Sequence, residues 1–254
     1  MQRQLILGTN ITPITYGESC ALINSWQKDR VSQYVCAANV HMVMEAYDSP
    51  SYQQVINQAD LVTPDGMPLV WMLRRMGYPN QERVYGPTLM VKLLEMANDE
   101  SIPVGFFGST TDVMSKLVQN VQRDFPKIQI VYAYSPPFKQ LSDEEDRQVT
   151  ESINSSGTRI LFVGLGCPKQ EYWMHEHRGK VQAVMLGVGA AFDFIAGTKP
   201  QAPSWVQKIG LEWLFRLLSE PRRLWKRYII HNPRFIFLAT KQLILNGVES
   251  NKID

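Results

Sequence analysis

Short, almost uniformly apolar runs alternate with longer stretches of helically spaced apolar residues from about residue 34 to Gly197. The runs 34–37, 60–63, 104–107, 129–133, 160–163 and 183–186 read as strands. Nearly all lack the in-and-out alternation of a half-exposed strand, as expected where a sheet is covered on both faces. Residues 88–98, 110–123 and 143–152 carry helical spacing, and Asp143 and Glu144 suit the first turn of the last of these. Strands alternating with helices predict an α/β fold, a parallel sheet flanked by helices. No internal repeat or low-complexity segment interrupts it.

After Gly197 the character changes. Residues 199–245 read as helices punctuated by Pro203, Pro221 and Pro233, with no strand signal. The pattern predicts a core over 1–197 and a helical appendage over 198–254. Nine basic residues stand against two acidic ones between Lys199 and Lys241, a local balance of +7 in a chain of net charge +2, so the remainder carries −5. The appendage interleaves these charges with Trp205, Trp213, Leu214, Phe215, Leu217, Leu218, Leu224, Trp225, Tyr228, Ile229 and Ile230. Basic amphipathic helices with tryptophan suit a membrane interface, while a helical pair packed on the core with a solvated basic face fits equally well. Such a load of leucine and tryptophan argues against nucleic acid as the partner.

A chain of 254 residues, 44% of them hydrophobic, is large enough for a substantial core. The apolar start of the chain turns polar by Thr9 and Asn10, too early for a secretory signal. The most apolar later stretch, 181–196, is broken by Asp193 and glycines and falls short of the roughly 20 residues a bilayer requires. Cys20, Cys36 and Cys167 show no metal-ligand spacing and cannot all pair, which points to a reducing cytoplasm.

The candidate chemistry lies where strands end. In Leu61-Val62-Thr63-Pro64-Asp65-Gly66-Met67-Pro68 an acid follows a core strand directly. Pro64 holds Thr63 extended, and Gly66 is read as permitting the turn. Asp65 then sits at a strand's carboxyl end, the edge where ligands bind in open α/β sheets. A general base and the N-cap of a helix beginning near Met67 are both open to it. Three other junctions are rich in glycine, around Gly108-Ser109, Gly164-Leu165-Gly166 and Gly187-Val188-Gly189. Each offers backbone N–H groups to a phosphate, although none completes a P-loop or dinucleotide fingerprint. Pro168 suits the first position of a helix whose opening turn holds Lys169, Gln170 and Glu171, placing them beside such a site. For Glu171 taken alone, favourable interaction with the helix dipole is the better reading. Asp193, an acid in an apolar stretch, must cap, pair or meet ligand.

Metal use is not expected. Asp-x-Asp is absent, and His41, His175, His177 and His231 form no His-Glu-x-x-His and no pairing with cysteine. There is also no Gly-x-Ser-x-Gly. Charge developing on a departing phosphate would fall to helix N-termini, Arg83 and the arginines of the tail.

Five blocks bring a family into view. Ala37-Ala38-Asn39, Ala59 to Gly66, Gly164 to Glu171, Gly187 to Asp193 and Gly210 to Leu217 resemble, in order, the WecG/TagA/CpsF glycosyltransferases. The resemblance implies a Rossmann-like core with no cofactor and metal-independent, inverting transfer from a UDP-sugar. The acceptor it implies is a polyprenyl-diphosphate-linked saccharide on the cytoplasmic face of the membrane, in cell-surface polysaccharide synthesis. By position it makes Asp65 the general base, with Asn39, Arg83 and Gln170 lining the sugar and diphosphate site. Asp193 and Tyr134 would face the nucleotide. Arg216, Arg222 and Arg223 would close over the site while the appendage touches lipid, as a peripheral protein. Ala37 stands where many members have threonine, so one pocket hydroxyl is missing, and the transferred sugar stays open among N-acetylmannosamine-like, uronic-acid and hexose types. A different class, a non-catalytic nucleotide-binding scaffold of an assembly complex, fits the same loops. An apolar tail face would also be masked in a homo-oligomer.

Overall fold

The computed structural model describes residues 2–250; residue 1 and residues 251–254, at the outer ends of the two expected regions, lie outside them. The chain begins with an antiparallel hairpin, β1 (Gln4–Ile6) and β2 (Thr9–Ile11), turning at Leu7 and Gly8, both at positive φ. Three-residue strands are too short to display a period, so the pattern did not announce them. Helix α1 (Tyr16–Lys28) opens with a capping box in which Thr15 and Glu18 satisfy each other's backbone N–H.

The main sheet begins with β3 (Gln33–Ala38), followed by α2 (Val40–Asp48), α3 (Pro50–Asn57), β4 (Leu61–Pro64), α4 (Met67–Arg75) and α5 (Gly86–Glu100). Next come β5 (Pro103–Gly108), α6 (Thr111–Asp124), β6 (Gln129–Tyr134), α7 (Asp143–Ser155), β7 (Ile160–Gly164), α8 (Lys169–His177), β8 (Val184–Gly187) and α9 (Ala191–Ile195). All six predicted strands are present, within a residue or two of their expected bounds. They form one parallel sheet in the order β4-β3-β8-β7-β5-β6. Alternate residues feed two hydrophobic clusters, one on each face. Tyr34, Cys36, Leu161 and Val163 point to the first, and Val35, Ile160, Phe162 and Leu186 to the second. Edge strand β6 is the exception, with Val131 and Tyr134 exposed.

The C-terminal helices are α10 (Ser204–Lys208), α11 (Glu212–Ser219) and α12 (Pro221–Ser250). Pro203 and Pro221 stand at helix starts, as a residue without a free N–H prefers, but Pro233 lies inside α12 and does not end it. Packing outweighs the lost hydrogen bond. Leu224, Phe235 and Ala239 are buried, Arg234 pairs with Asp48 of α2 at 2.5 and 2.6 Å, and Gln242 bonds to both Leu5 and Leu7 of the N-terminal hairpin. Among the described residues no helix is long and apolar enough to cross a membrane.

Candidate active site

The carboxyl edge of the sheet opens into a crevice because neighbouring strands send their helices to opposite faces. Helices α2, after β3, and α8, after β7, pack on the first cluster, whereas α9, after β8 between them, packs on the second. Such divergence is the topological switch point at which open α/β sheets bind ligands. A cavity of about 620 Å³ fills it, roofed by α11 and α12. Asn39, Asp65, Arg83, Gly166, Gln170, Gly187, Gly189, Arg216 and Arg223 all line this cavity. Residues from four strand ends and two distant helices therefore meet in one place.

Asp65 does not cap α4. Gly66 is the N-cap residue there, in an ordinary extended conformation, and it provides no side-chain bond. The expected reason for that glycine is thus replaced by another: a Cβ on Gly66 would press to 3.2 Å on the Asn39 backbone. The N–H groups of Asp65 and Gly66 both donate to Ala38 O, at 2.8 and 3.1 Å, which ties the loop to β3. The Asp65 carboxylate is aimed elsewhere. Its Oδ2 accepts from Gly86 N–H at the start of α5, 3.2 Å away, and its Oδ1 takes a 3.0 Å bond from Arg83 Nη2. Arg83 Nε also donates to the Asp65 carbonyl.

The same guanidinium reaches Glu212 of α11 at 2.7 Å and lies over the Tyr85 ring at 4.0 Å, while Tyr85 OH donates to Glu212 at 2.9 Å. Two carboxylates thus share one cation in a buried setting. Burial raises the Asp65 pKa above the ordinary carboxylate value; Arg83 opposes that rise and Glu212 adds to it. A raised pKa is what proton abstraction at neutral pH favours in a carboxylate base.

Across the crevice, Gln170 Oε1 accepts from Gly166 N–H at 3.2 Å and its Nε2 donates to Glu171 at 2.7 Å. Glu171 is buried behind it and also accepts from Tyr52 OH at 3.0 Å, so it positions Gln170. The helix dipole is the lesser part of its role. Gly187 has a steric reason: a Cβ there would come within 2.9 Å of Gln170 Nε2. We expect Glu171→Ala to cost about 1–3 kcal/mol for each group left without an acceptor, Tyr52 OH and the Gln170 amide. Chemical denaturation measures the loss.

Over the cavity, Arg227 Nη2 approaches Asn39 Oδ1 at 3.4 Å, and Asn39 at the same time caps α2 through a 3.2 Å bond from Met42 N–H. Arg216 lies over Phe194, and Arg223 is held by Glu220 at 2.6 and 2.7 Å. Asp193 pairs with Lys199 at 3.3 Å, and Lys199 reaches on to Glu220 at 3.7 Å, linking α9 to the tail. Asp193 therefore stands in an ion-pair chain beside the cavity wall. Gly108, Ser109 and Tyr134 lie at the ends of β5 and β6, on the other half of the same sheet edge. The glycines there serve packing as well: a Cβ on Gly108 would strike the Gly164 backbone at 2.6 Å, and one on Gly164 the Phe192 ring at 2.5 Å. Arg222 is exposed on α12.

A family model for the glycosyl transferase WecG/TagA/CpsF family matches residues 4–248. The chain belongs to that family. This glycosyltransferase is 34% identical over 209 residues to a protein of Bacillus spizizenii named N-acetylglucosaminyldiphosphoundecaprenol N-acetyl-beta-D-mannosaminyltransferase, covering 82% of this chain and 79% of the relative. Like-named proteins of Bacillus subtilis (29% over 215 residues, 84% and 81% covered) and Staphylococcus aureus (31% over 209 residues, 82% and 80% covered) are also similar. The family match includes α11 and α12, so the roof of the cavity belongs to it. Sequence reasoning named Arg83, Arg216 and Arg223, included Arg227 only among the arginines of the tail, and passed over Glu212 and Tyr85. Glu212 was visible as a lone acid in a basic, apolar helix.

Proposed function

We propose that this glycosyltransferase moves a sugar of the N-acetylmannosamine, uronic-acid or hexose type from UDP to a polyprenyl-diphosphate-linked saccharide in cell-surface polysaccharide synthesis. The observation that carries the reading is Asp65, a buried carboxylate with a raised pKa on the wall of a cavity roofed by arginines. Asp65 takes the proton of the acceptor hydroxyl, and the freed oxygen attacks the anomeric carbon from the face opposite UDP, so the configuration inverts. Negative charge gathering on the departing diphosphate is met by Arg216, Arg223 and Arg227, which is why the chemistry itself calls for no metal. Asn39 and Gln170 orient the sugar, while Asp193 and Tyr134 serve the nucleotide.

The names of the Bacillus and Staphylococcus relatives support the acceptor class and an N-acetylmannosaminyl donor. Ala37 leaves a wall of the pocket beside Asp65 and Gly86 without a hydroxyl, so that wall admits more than one donor sugar. Residues 1–197 form the catalytic core in this reading, and 198–254 dock the protein on the inner face of the membrane. Trp205, Leu218, Trp225, Ile229, Ile236 and Phe237 are exposed on the tail beside Arg222 and Lys226, the composition a headgroup interface accepts.

Calorimetric titration of UDP in EDTA, followed by transfer assays with UDP-sugars and a polyprenyl-diphosphate acceptor, tests the reading. Saturable UDP binding and turnover without added metal are expected. Absence of UDP binding, both alone and with acceptor vesicles, would overturn it.

A further inference from the structure

The interface between α2 and α12 holds a second group of chemistry-bearing side chains. His41 and Glu45 lie four residues apart on α2, so both project from one face, and His231 of α12 meets them. Glu45 Oε1 stands 3.7 Å from His41 Nδ1 and 3.5 Å from His231 Nε2, and the two imidazoles cross edge to face with centroids 5.4 Å apart. One ligand atom from each of the three can be chosen so that all lie within 4.8 Å of one another.

These spacings are too long for hydrogen bonds and close to another length. A tetrahedral site with bonds of about 2.0–2.1 Å has ligand-to-ligand edges of about 3.3–3.4 Å. His41 Nδ1 is buried with no hydrogen-bond partner among the described residues, a cost the fold carries unless something binds it. Arg227 and Arg216 stand nearby. Glu45 supplies the negative charge that a cation beside two arginines needs. The chain's other histidines are engaged elsewhere, His175 with Tyr34 OH and His177 with Asp146 and the Trp173 carbonyl.

We propose that His41, Glu45 and His231 bind one transition-metal dication of the zinc class, which clamps α12 onto α2. Two imidazoles and a carboxylate are a donor set that zinc, cobalt and nickel accept. The clamp stands beside the Asp48–Arg234 pair and holds the helix that carries Arg227 over Asn39. Its role is positional: the cation pins α12 to α2.

Tag-free protein stripped with chelator is titrated with Zn²⁺ by calorimetry and with Co²⁺ by visible absorption. One equivalent is expected to bind, with the intense d–d bands of tetrahedral cobalt. His231→Ala and Glu45→Gln should each weaken binding at least about tenfold while far-UV circular dichroism is unchanged. Bound Zn²⁺ should also slow proteolysis within α12 in the unaltered protein but not in His231→Ala. No saturable binding would overturn the proposal. So would a stoichiometry unchanged in a His41→Ala/His231→Ala double variant. None of these readouts depends on sugar transfer, so the site and the proposed reaction stand or fall separately.

Discussion

Asp65→Asn is expected to lower the rate of sugar transfer by about 10²–10⁴, the range that a positioned general base supplies. The substitution keeps the shape and leaves Oδ1 available to accept from Arg83, so the cavity keeps its walls, although the amide Nδ2 no longer accepts from Gly86 N–H. UDP affinity should therefore change little, and the loss should fall on kcat. Stability is subject to two opposed effects: the unpaired Gly86 N–H costs about 1–3 kcal/mol, and the loss of a buried charge offsets it. A carboxyl whose folded pKa is raised is better accommodated neutral, so an uncharged isostere removes a burial cost that is present above the folded pKa and absent below the unfolded one. Arg83 retains Glu212 as its counter-charge. Single-turnover assays beside UDP calorimetry check both halves, and a variant that still turns over within tenfold of the parent would remove Asp65 from its role. A scaffold without catalysis would show no turnover in either protein.

Arg83→Gln should have the second large effect, and on two quantities. In the parent the guanidinium lowers the Asp65 pKa against the rise that burial causes. Removing it lets that pKa climb further, with Glu212 now adding unopposed repulsion. Because the base works deprotonated, the acidic limb of the kcat/KM profile should move to higher pH. Stability should fall at neutral pH by about 3–5 kcal/mol, the cost of leaving a buried charge without its partner. The sign with pH follows: the loss is present above the raised pKa of Asp65 and is relieved as pH falls through it and Asp65 protonates. Profiles of kcat/KM and of denaturation midpoint between pH 5 and 9 would separate this from simple misfolding, which would not recover in acid.

Glu212 gives Arg83 a further meaning. The acid comes from α11, 129 positions away from Arg83, so tail docking and the electrostatics around Asp65 are one event. The tail completes the environment in which Asp65 ionises.

The strands were legible because a strand covered on both faces must be apolar at every position, and runs such as Ile160–Val163 have no other economical use. Asp65 at the sheet edge followed from the strand that delivers it. What local pattern could not show were contacts between segments far apart. Hairpin β1–β2 has too few residues to display a period, and its hold on Gln242 crosses nearly the whole chain. Pro233 reads as a break because the cost of proline is local, whereas the packing of α12 that offsets it is not. Gly66, Gly108 and Gly164 read as turn or phosphate glycines, yet each is also small because another backbone or ring presses on it. His41 and Glu45 show a shared face from their spacing alone, but only the return of α12 brings His231 beside them.

The sequence by itself determined the layers, the parallel sheet, the edge on which chemistry gathers and the family. Periodicity and strand-end motifs are properties of neighbours along the chain. The tertiary structure decided which carboxylates share Arg83, which arginines roof the cavity and which histidines meet. Those are pairings of charge and volume across long sequence separations, fixed only when the appendage closes on the core.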